Sequence, residues 1–314
     1  MSGSEALLES GLPLPLLHRG KVRDVYEAGP ESLLMVASDR VSAFDVVMPQ
    51  PIPRKGEVLT QITAWWLSQL EGRIPHHLLS VRSDTIEAVL PELARHRDRW
   101  ANRAMLVRRT TPVLVECVVR GYLSGSAWRE YRDHGTLAGE RLPPGLRESE
   151  KLETPLFSPA TKAQEGHDEN ITYDQVKELL GEELADRLRS SSFMLYEFGS
   201  RVAETHGIIL ADTKFEFGID GSGSLLLIDE VMTPDSSRFW PREHYDVGRG
   251  QPSLDKQPIR DWLDALPDWN KQPPAPDLTG EVIRASTARY LDIFQRLTGT
   301  PLDQYHPPAF SEDP

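Results

Sequence analysis

Residues 208–218 (Ile-Ile-Leu-Ala-Asp-Thr-Lys-Phe-Glu-Phe-Gly) constrain the fold more than any other stretch of this chain. Side chains on a strand alternate between faces. Asp212, Lys214 and Glu216 therefore share one face, and Ala211, Thr213, Phe215 and Phe217 the other, core-side face. Asp220-Gly221-Ser222-Gly223 has turn chemistry, and residues 224–231 read as the return strand of a hairpin. A four-residue loop sets Ile219 opposite Ser224 and, in the same register, Lys214 opposite Asp229. Asp212 and Glu216 then lie diagonal to Asp229, within roughly 8 Å. Carboxylates that close repel one another unless a cation lies among them. A hard divalent ion such as Mg²⁺ suits their oxygens and commonly brings nucleotide phosphates with it. The bland alternative is a solvated face closed by a Lys–Asp pair. Beyond the strand, residues 229–238 add Asp229, Glu230, Asp235 and Arg238 among hydroxyls, and function concentrates at such strand ends.

A second segment delivers positive charge. Residues 113–119 are an apolar run broken only by Glu116, followed by Arg120-Gly121-Tyr122-Leu123-Ser124-Gly125-Ser126. A buried strand ending in arginine, glycine and hydroxyls suits an anion. Ser126 is placed to cap a helix starting near Ala127, whose free N–H groups attract phosphate. An ordinary capped helix beside a surface arginine explains the pattern equally well. Glu116 needs a partner inside its apolar run: a base, a ribose, Arg108 or Arg120. Weaker signals are Gly20-Lys21-Val22-Arg23, the mixed-charge run 38–45 with Ser38, Asp39 and Arg40, and the loop 161–170 with Lys162 and the neighbours His167 and Asp168.

The remaining pattern gives an α+β fold. Strands are expected at 21–26, 33–37 and 105–109, with a helix at 58–70, making a small antiparallel sheet that ends near residue 112. The 113–120 strand opens a larger second part. Residues 134–170 read mostly as loop. Thr172 and Gln175 form a capping box for a helix with the stripe Val176, Leu179, Leu180 and Leu184. Further helices are expected at 193–206 and 279–297, ended by Gly207 and Gly299. Without regular βαβ alternation a doubly wound sheet is not expected. The domains are accordingly 1–112, small and β-rich, and 113–314, larger and α+β.

Composition excludes several classes. One cysteine, Cys117, leaves no internal disulfide and no cysteine zinc cluster, so a reducing cytoplasm is expected. A net charge of −13 argues against nucleic acid and acidic membranes as general partners. The first 20 residues lack a basic leader, and the apolar runs are only strand-length. Neither a zinc-binding His-Glu-x-x-His nor a Gly-x-Ser-x-Gly elbow occurs.

Taken in order, these segments resemble the SAICAR synthetase family. Residues 113–126 resemble its first signature and 210–218 its second. Residues 20–26, 38–45, 162–170, 229–238 and 255–257 also match, so the resemblance spans about 20–263. The run 38–45 and His167-Asp168-Glu169-Asn170 are similar to the longer, eukaryote-like branch. The resemblance implies an ATP-grasp-like fold with the nucleotide in a cleft between the two parts. It also implies ATP- and Mg²⁺-dependent joining of L-aspartate to CAIR, a carboxylated aminoimidazole ribonucleotide, with these small molecules as partners. By the same resemblance Lys21, Arg23 and Lys162 contact ATP phosphates, and Glu116 flanks the adenosine. Glu216 and Asp229 hold Mg²⁺, with Lys214 and Asp212 beside them. Arg120, Ser126, Asp235 and Arg238 match positions that hold CAIR, with Lys256 and Arg260 as further phosphate contacts. Ser38, Asp39 and Arg40 are placed to position aspartate. His167 and substrate-assisted proton loss are alternatives for deprotonating the amine. A small-molecule kinase and a non-catalytic nucleotide-binding module remain the competing functions.

Overall fold

The computed structural model describes residues 6–162 and 169–310. Near the N-terminus lie β1 (Leu16–Arg19), β2 (Arg23–Glu27) and β3 (Ser32–Ala37). They join β4 (Leu78–Ser80) and β5 (Ala104–Arg108) in a five-stranded antiparallel sheet of order β1-β2-β3-β5-β4. Helix α1 (Lys55–Gln69) is buried along most of its length, and Gly56 is what lets it approach β3. A Cβ at Gly56 would lie 2.2 Å from the Ala37 carbonyl oxygen. Trp66 of α1 donates from Nε1 to the Met232 carbonyl at 2.9 Å, tying the first sheet's helix to the second half of the chain.

The second sheet has seven strands. Its spine is β6 (Val115–Tyr122), β7 (Lys151–Phe157), β8 (Ile208–Ile219) and β9 (Leu225–Ile228), in the order β7-β6-β8-β9. The strand β10 (Ser237–Pro241) and Thr111–Pro112 also pair with β8, and Ala160–Thr161 pairs with β6. The helices of this half are α2 (Ser126–His134), α3 (Tyr173–Leu180), α4 (Glu182–Thr205), α5 (Gln257–Asp264) and α6 (Gly280–Thr298). Leu188, Leu195 and Ala203 of α4 join Cys117, Val119, Leu210 and Phe215 in one core that also takes in Val58 and Ile62 of α1. Among the described residues no helix is long and apolar enough to cross a membrane.

Several local expectations need correction. The hairpin closes with Asp220 N–H donating to the Ser224 carbonyl at 3.0 Å, so only 221–223 lie in the loop, with Gly223 at φ +84°. Asp220 Oδ1 fixes this shorter turn by accepting from the Ser222 and Ser224 amides. Ile219 consequently pairs with Leu225, a one-residue slip, and the return strand stops at Ile228 because Asp229 turns away at φ +62°. Between Leu210 and Asp212 the pairing with β10 is irregular. Leu210 faces the main core, but Ala211 packs with Tyr122 and Trp240 instead. The 134–170 stretch contains β7 and a small hairpin as well as loop. Helix α4 starts at 182, eleven residues before the expected 193, because Gly181 at φ +81° separates it from α3. Thr172 and Gln175 do form the capping box, but Leu179 is 62% exposed and only Val176 of α3 is buried. Gly125 occupies the N-cap of α2, so Ser126 lies inside the helix and provides no cap.

Candidate active site

The two sheets face each other across a cleft of about 790 Å³. Val25, Leu33, Met35 and Val107 from the first sheet give it an apolar wall, and Leu114 and Ile228 come from the other side. Its charged end collects Lys21, Arg23, Glu116, Lys162, Lys214, Glu216 and Asp229. The alternation of β8 explains part of this, since Lys214 and Glu216 emerge from one face. Lys214 donates to Glu216 at 3.0 Å and to Glu116, and Lys162 donates to the other oxygen of Glu216. Arg23 joins Asp229 and Glu230, the latter at 2.8 Å. Asp229 therefore faces the cleft against Arg23, where the register expected Lys214.

These contacts set the charge states. Burial pushes the Glu216 carboxyl up, but Lys214 and Lys162 outweigh it and hold the group at about 2. Burial pushes the Lys214 ammonium down, and Glu216 and Glu116 more than reverse this. His77, also on the cleft, is driven to about 3 by burial, with His76 and Arg23 adding to the effect. It is a neutral imidazole at pH 7, and its Nε2 has no hydrogen-bond partner among the described residues.

A second pocket of about 320 Å³ contains Ser126, Arg129, Arg238, Lys256 and Arg260, with Asp45 at its edge. Asp45 also accepts from Lys21 at 2.5 Å, so one ion pair bridges the two cavities. Asp212 supports the pocket from below. Its Oδ2 accepts from Arg120 at 3.1 Å and Arg238 at 2.5 Å. Gly125 is required here, because a Cβ on it would meet Arg238 Nη2 at 2.3 Å. Burial pushes both Lys256 and Arg260 below their ordinary values. A dense cluster of partly desolvated cations suits a multiply charged anion such as a phosphate.

The sequence-derived residues therefore separate by place. Lys21, Arg23, Glu116, Lys162, Lys214, Glu216 and Asp229 meet in the cleft, and Ser126, Arg238, Lys256 and Arg260 in the second pocket. Arg120 and Asp212 sit directly behind Arg238. Ser38, Asp39, Arg40 and Asp235 line neither cavity. Ser38 donates to the Val22 carbonyl, Asp39 accepts from the Leu7 and Gly56 amides and Arg103, and Arg40 binds Asp24 and the carbonyls of Gly20 and Lys21. That mixed-charge run is buried scaffold beneath the 20–23 loop. Asp235 is taken by Lys55 and Tyr290. His167 and Asp168 lie outside the described residues.

Sequence reasoning missed His77, Arg129, Lys55 and Tyr290. None belongs to a recognisable motif, and each gains its place from long-range packing. The Mg²⁺ expectation meets a mixed donor set. Among the described residues no group of three or more His, Cys, Asp or Glu converges as a metal cage. Three carboxylates line the cleft, Glu116, Glu216 and Asp229; Glu116 is engaged by Lys214, which leaves Glu216 and Asp229 as the pair suited to a metal. That number fits Mg²⁺, which takes one or two protein carboxylates and fills its shell with water and phosphate oxygens.

Known proteins place this architecture among ligases of purine biosynthesis. The model of the SAICAR synthetase family matches residues 16–276. A phosphoribosylaminoimidazole-succinocarboxamide synthase of Methylibium petroleiphilum is 52% identical over 304 residues, covering 95% of this chain and 100% of the relative. The Geobacter sulfurreducens synthase is 49% identical over 298 residues, with 94% and 99% covered. The solved Saccharomyces cerevisiae SAICAR synthase complexed with SAICAR has a TM-score of 0.85 and 40% identity, covering 96% of this chain and 99% of that one. A SAICAR synthetase (type 2) solved in complex with ADP shares the fold, with a TM-score of 0.67 and 24% identity over 90% of this chain and 98% of that one. The chain belongs to the SAICAR synthetase family.

Proposed function

We propose that the chain joins L-aspartate to the carboxylate of CAIR, using ATP and Mg²⁺ and releasing SAICAR, ADP and phosphate. The observation that carries this reading is the pairing of cavities. An apolar cleft ends in four cations and the carboxylates of Glu116, Glu216 and Asp229, and a pocket rich in cations adjoins it through the Lys21–Asp45 pair. In this reading residues 1–112 form a nucleotide-binding domain and 113–314 the substrate- and metal-binding domain of an ATP-grasp-like fold. The nucleotide lies in the cleft between them, and the enzyme works in the cytoplasm on small molecules, without nucleic acid or membrane.

The chemistry follows from the residues. A carboxylate does not form an amide with an amine at pH 7, because its oxygen is a poor leaving group. Transfer of the ATP γ-phosphoryl group to that oxygen converts it into one. The transfer needs the phosphate charge neutralised and the reacting groups aligned. Lys21, Arg23, Lys162 and Lys214 supply positive charge at the cleft's end, and the apolar wall takes the adenine, with Glu116 beside the adenosine. Glu216, held ionised at any pH above about 2, and Asp229 would hold the metal. When bound, Mg²⁺ neutralises charge on the phosphates. Arg238, Lys256, Arg260 and Ser126 hold the CAIR phosphate, with Arg120 and Asp212 fixing Arg238. Alignment is supported by β8, whose Glu216 lines the cleft and whose Asp212 holds Arg238 of the second pocket. The activated carboxylate is then attacked by the neutral amine of aspartate.

The test is ADP release in the presence of ATP, Mg²⁺ and CAIR, with and without L-aspartate. Release that needs aspartate and matches SAICAR one for one supports the ligase. Release without aspartate, with a stable phosphorylated product, means a kinase instead.

A further inference from the structure

The family match ends at residue 276, so α6 lies beyond it. This helix nevertheless reaches the loops that carry the basic pocket, through two successive residues. Tyr290 is fully buried and donates from its hydroxyl to Asp235 Oδ1 at 2.5 Å. Lys55, at the first turn of α1 and equally buried, holds Asp235 Oδ2 at 2.8 Å. Both oxygens of one carboxylate are thus clamped by two helices. Asp235 lies in the Thr233–Ser236 turn, whose amides at 235 and 236 are held by the Thr233 hydroxyl. The chain runs straight from this turn into β10 and Arg238, a wall of the basic pocket.

The neighbouring residue acts on the other wall. Arg289 donates from Nη1 to the Ser253 carbonyl at 2.6 Å. Ser253 donates to Asp255, and Asp255 Oδ1 accepts the Gln257 amide at 2.6 Å, fixing the start of α5. That start carries Lys256 and, one turn on, Arg260. Arg238 on one side and Lys256 with Arg260 on the other are therefore spaced by one helix.

We infer that Arg289 and Tyr290 of α6 are positioning residues for the phosphorylated substrate, setting the separation of the cations in the basic pocket while touching no substrate themselves. This rests on the reading of that pocket as the CAIR phosphate site. It also reassigns Asp235, from a group that meets substrate to the anchor that receives Tyr290.

The experiment compares steady-state constants of wild type, Tyr290→Phe, Arg289→Met, Arg289→Lys and Arg296→Ala. Arg296 lies on the same helix and pairs with Asp292 and Glu243, away from the pocket, so its variant weakens the helix without touching either loop. Wild-type turnover with CAIR checks the underlying reading, and the variant ratios check the inference. Tyr290→Phe and Arg289→Met are expected to raise KM for CAIR about tenfold, the equivalent of ~1.4 kcal/mol. Their kcat and KM for ATP are expected to stay within about twofold of wild type. Arg289→Lys keeps a donor and restores much of the CAIR affinity, while Arg296→Ala lowers the melting temperature and leaves KM for CAIR unchanged. An unchanged KM for CAIR in Tyr290→Phe overturns the inference. So does a parallel rise in both KM values, or an Arg296→Ala variant that behaves like Tyr290→Phe.

Discussion

Replacing Lys214 by methionine keeps the aliphatic stem and removes one charge from the ion cluster at the end of the cleft. Glu216 is only 6% exposed and is held at about 2 against an ordinary value of 4.5. At ~1.4 kcal/mol per pH unit that gap is worth about 3 kcal/mol. Lys214 is the larger of its two charged partners and Lys162 stays behind, so the variant loses about 2 kcal/mol at pH 7. For a chain of this size the melting temperature falls by about 3 °C. The pH dependence carries the sign. A carboxylate with a depressed folded-state value contributes stability above about 4.5 that fades as pH falls through about 2. Urea unfolding of both proteins at pH 7, 5.5, 4.5 and 3.5 should give a stability difference that is flat down to about pH 5 and narrows below it. A difference that widens toward acid, or none at pH 7, refutes the reasoning. Turnover of the same variant should fall by ~10²–10³, the usual cost of one preorganised charge at a reacting centre.

Three other outcomes follow from the same geometry. Asp229→Asn keeps a residue type that tolerates the left-handed backbone at φ +62°, so it should fold with a wild-type circular dichroism spectrum while turnover drops by ~10² or more. Arg238→Ala should raise KM for CAIR by ~10–100-fold and leave KM for ATP unchanged in initial-rate assays, since Arg238 lines only the basic pocket. Gly56→Ala pushes a Cβ against the Ala37 carbonyl at 2.2 Å, and should cost about 1–3 kcal/mol in urea unfolding through separation of α1 from β3.

The bounds of strand β8 and its alternation from Asp212 to Phe217 were legible because its period is short, its charged and aromatic residues alternate strictly, and Gly207 and Asp220 bound it; the irregularity at Ala211 was not. What alternation could not supply was the register across the turn. That depended on whether Asp220 belongs to the loop or to the ladder, and its side chain, capping the Ser222 and Ser224 amides, decided for the ladder. Lys214 therefore found Glu116 and Glu216, and Asp229 found Arg23 from a different sheet. The Lys214–Glu116 and Asp229–Arg23 pairings join residues 98 and 206 positions apart, and no local pattern encodes them. Leu179 shows the opposite error, an apolar residue at helical spacing left 62% exposed because Gly181 ends α3 before the stripe can dock. The 38–45 run misled for a third reason. Asp39 and Arg40 are charged like a ligand site, yet their side chains are spent on scaffold partners: Asp39 on the Leu7 and Gly56 amides and Arg103, Arg40 on Asp24 and the carbonyls of Leu8, Gly20 and Lys21. Lys55 and Tyr290 had no signal at all, since a buried lysine and a buried tyrosine declare themselves only through the partner they share.

The central claim is that the CAIR carboxylate is phosphorylated before aspartate attacks it, and an isotope reports on that directly. CAIR labelled with ¹⁸O in both carboxylate oxygens is converted in one turnover with ATP, Mg²⁺ and L-aspartate, and the inorganic phosphate is analysed by mass. Phosphoryl activation predicts one ¹⁸O in each phosphate released and one retained in the SAICAR amide carbonyl. Phosphate carrying no label, alongside labelled SAICAR, would contradict the account.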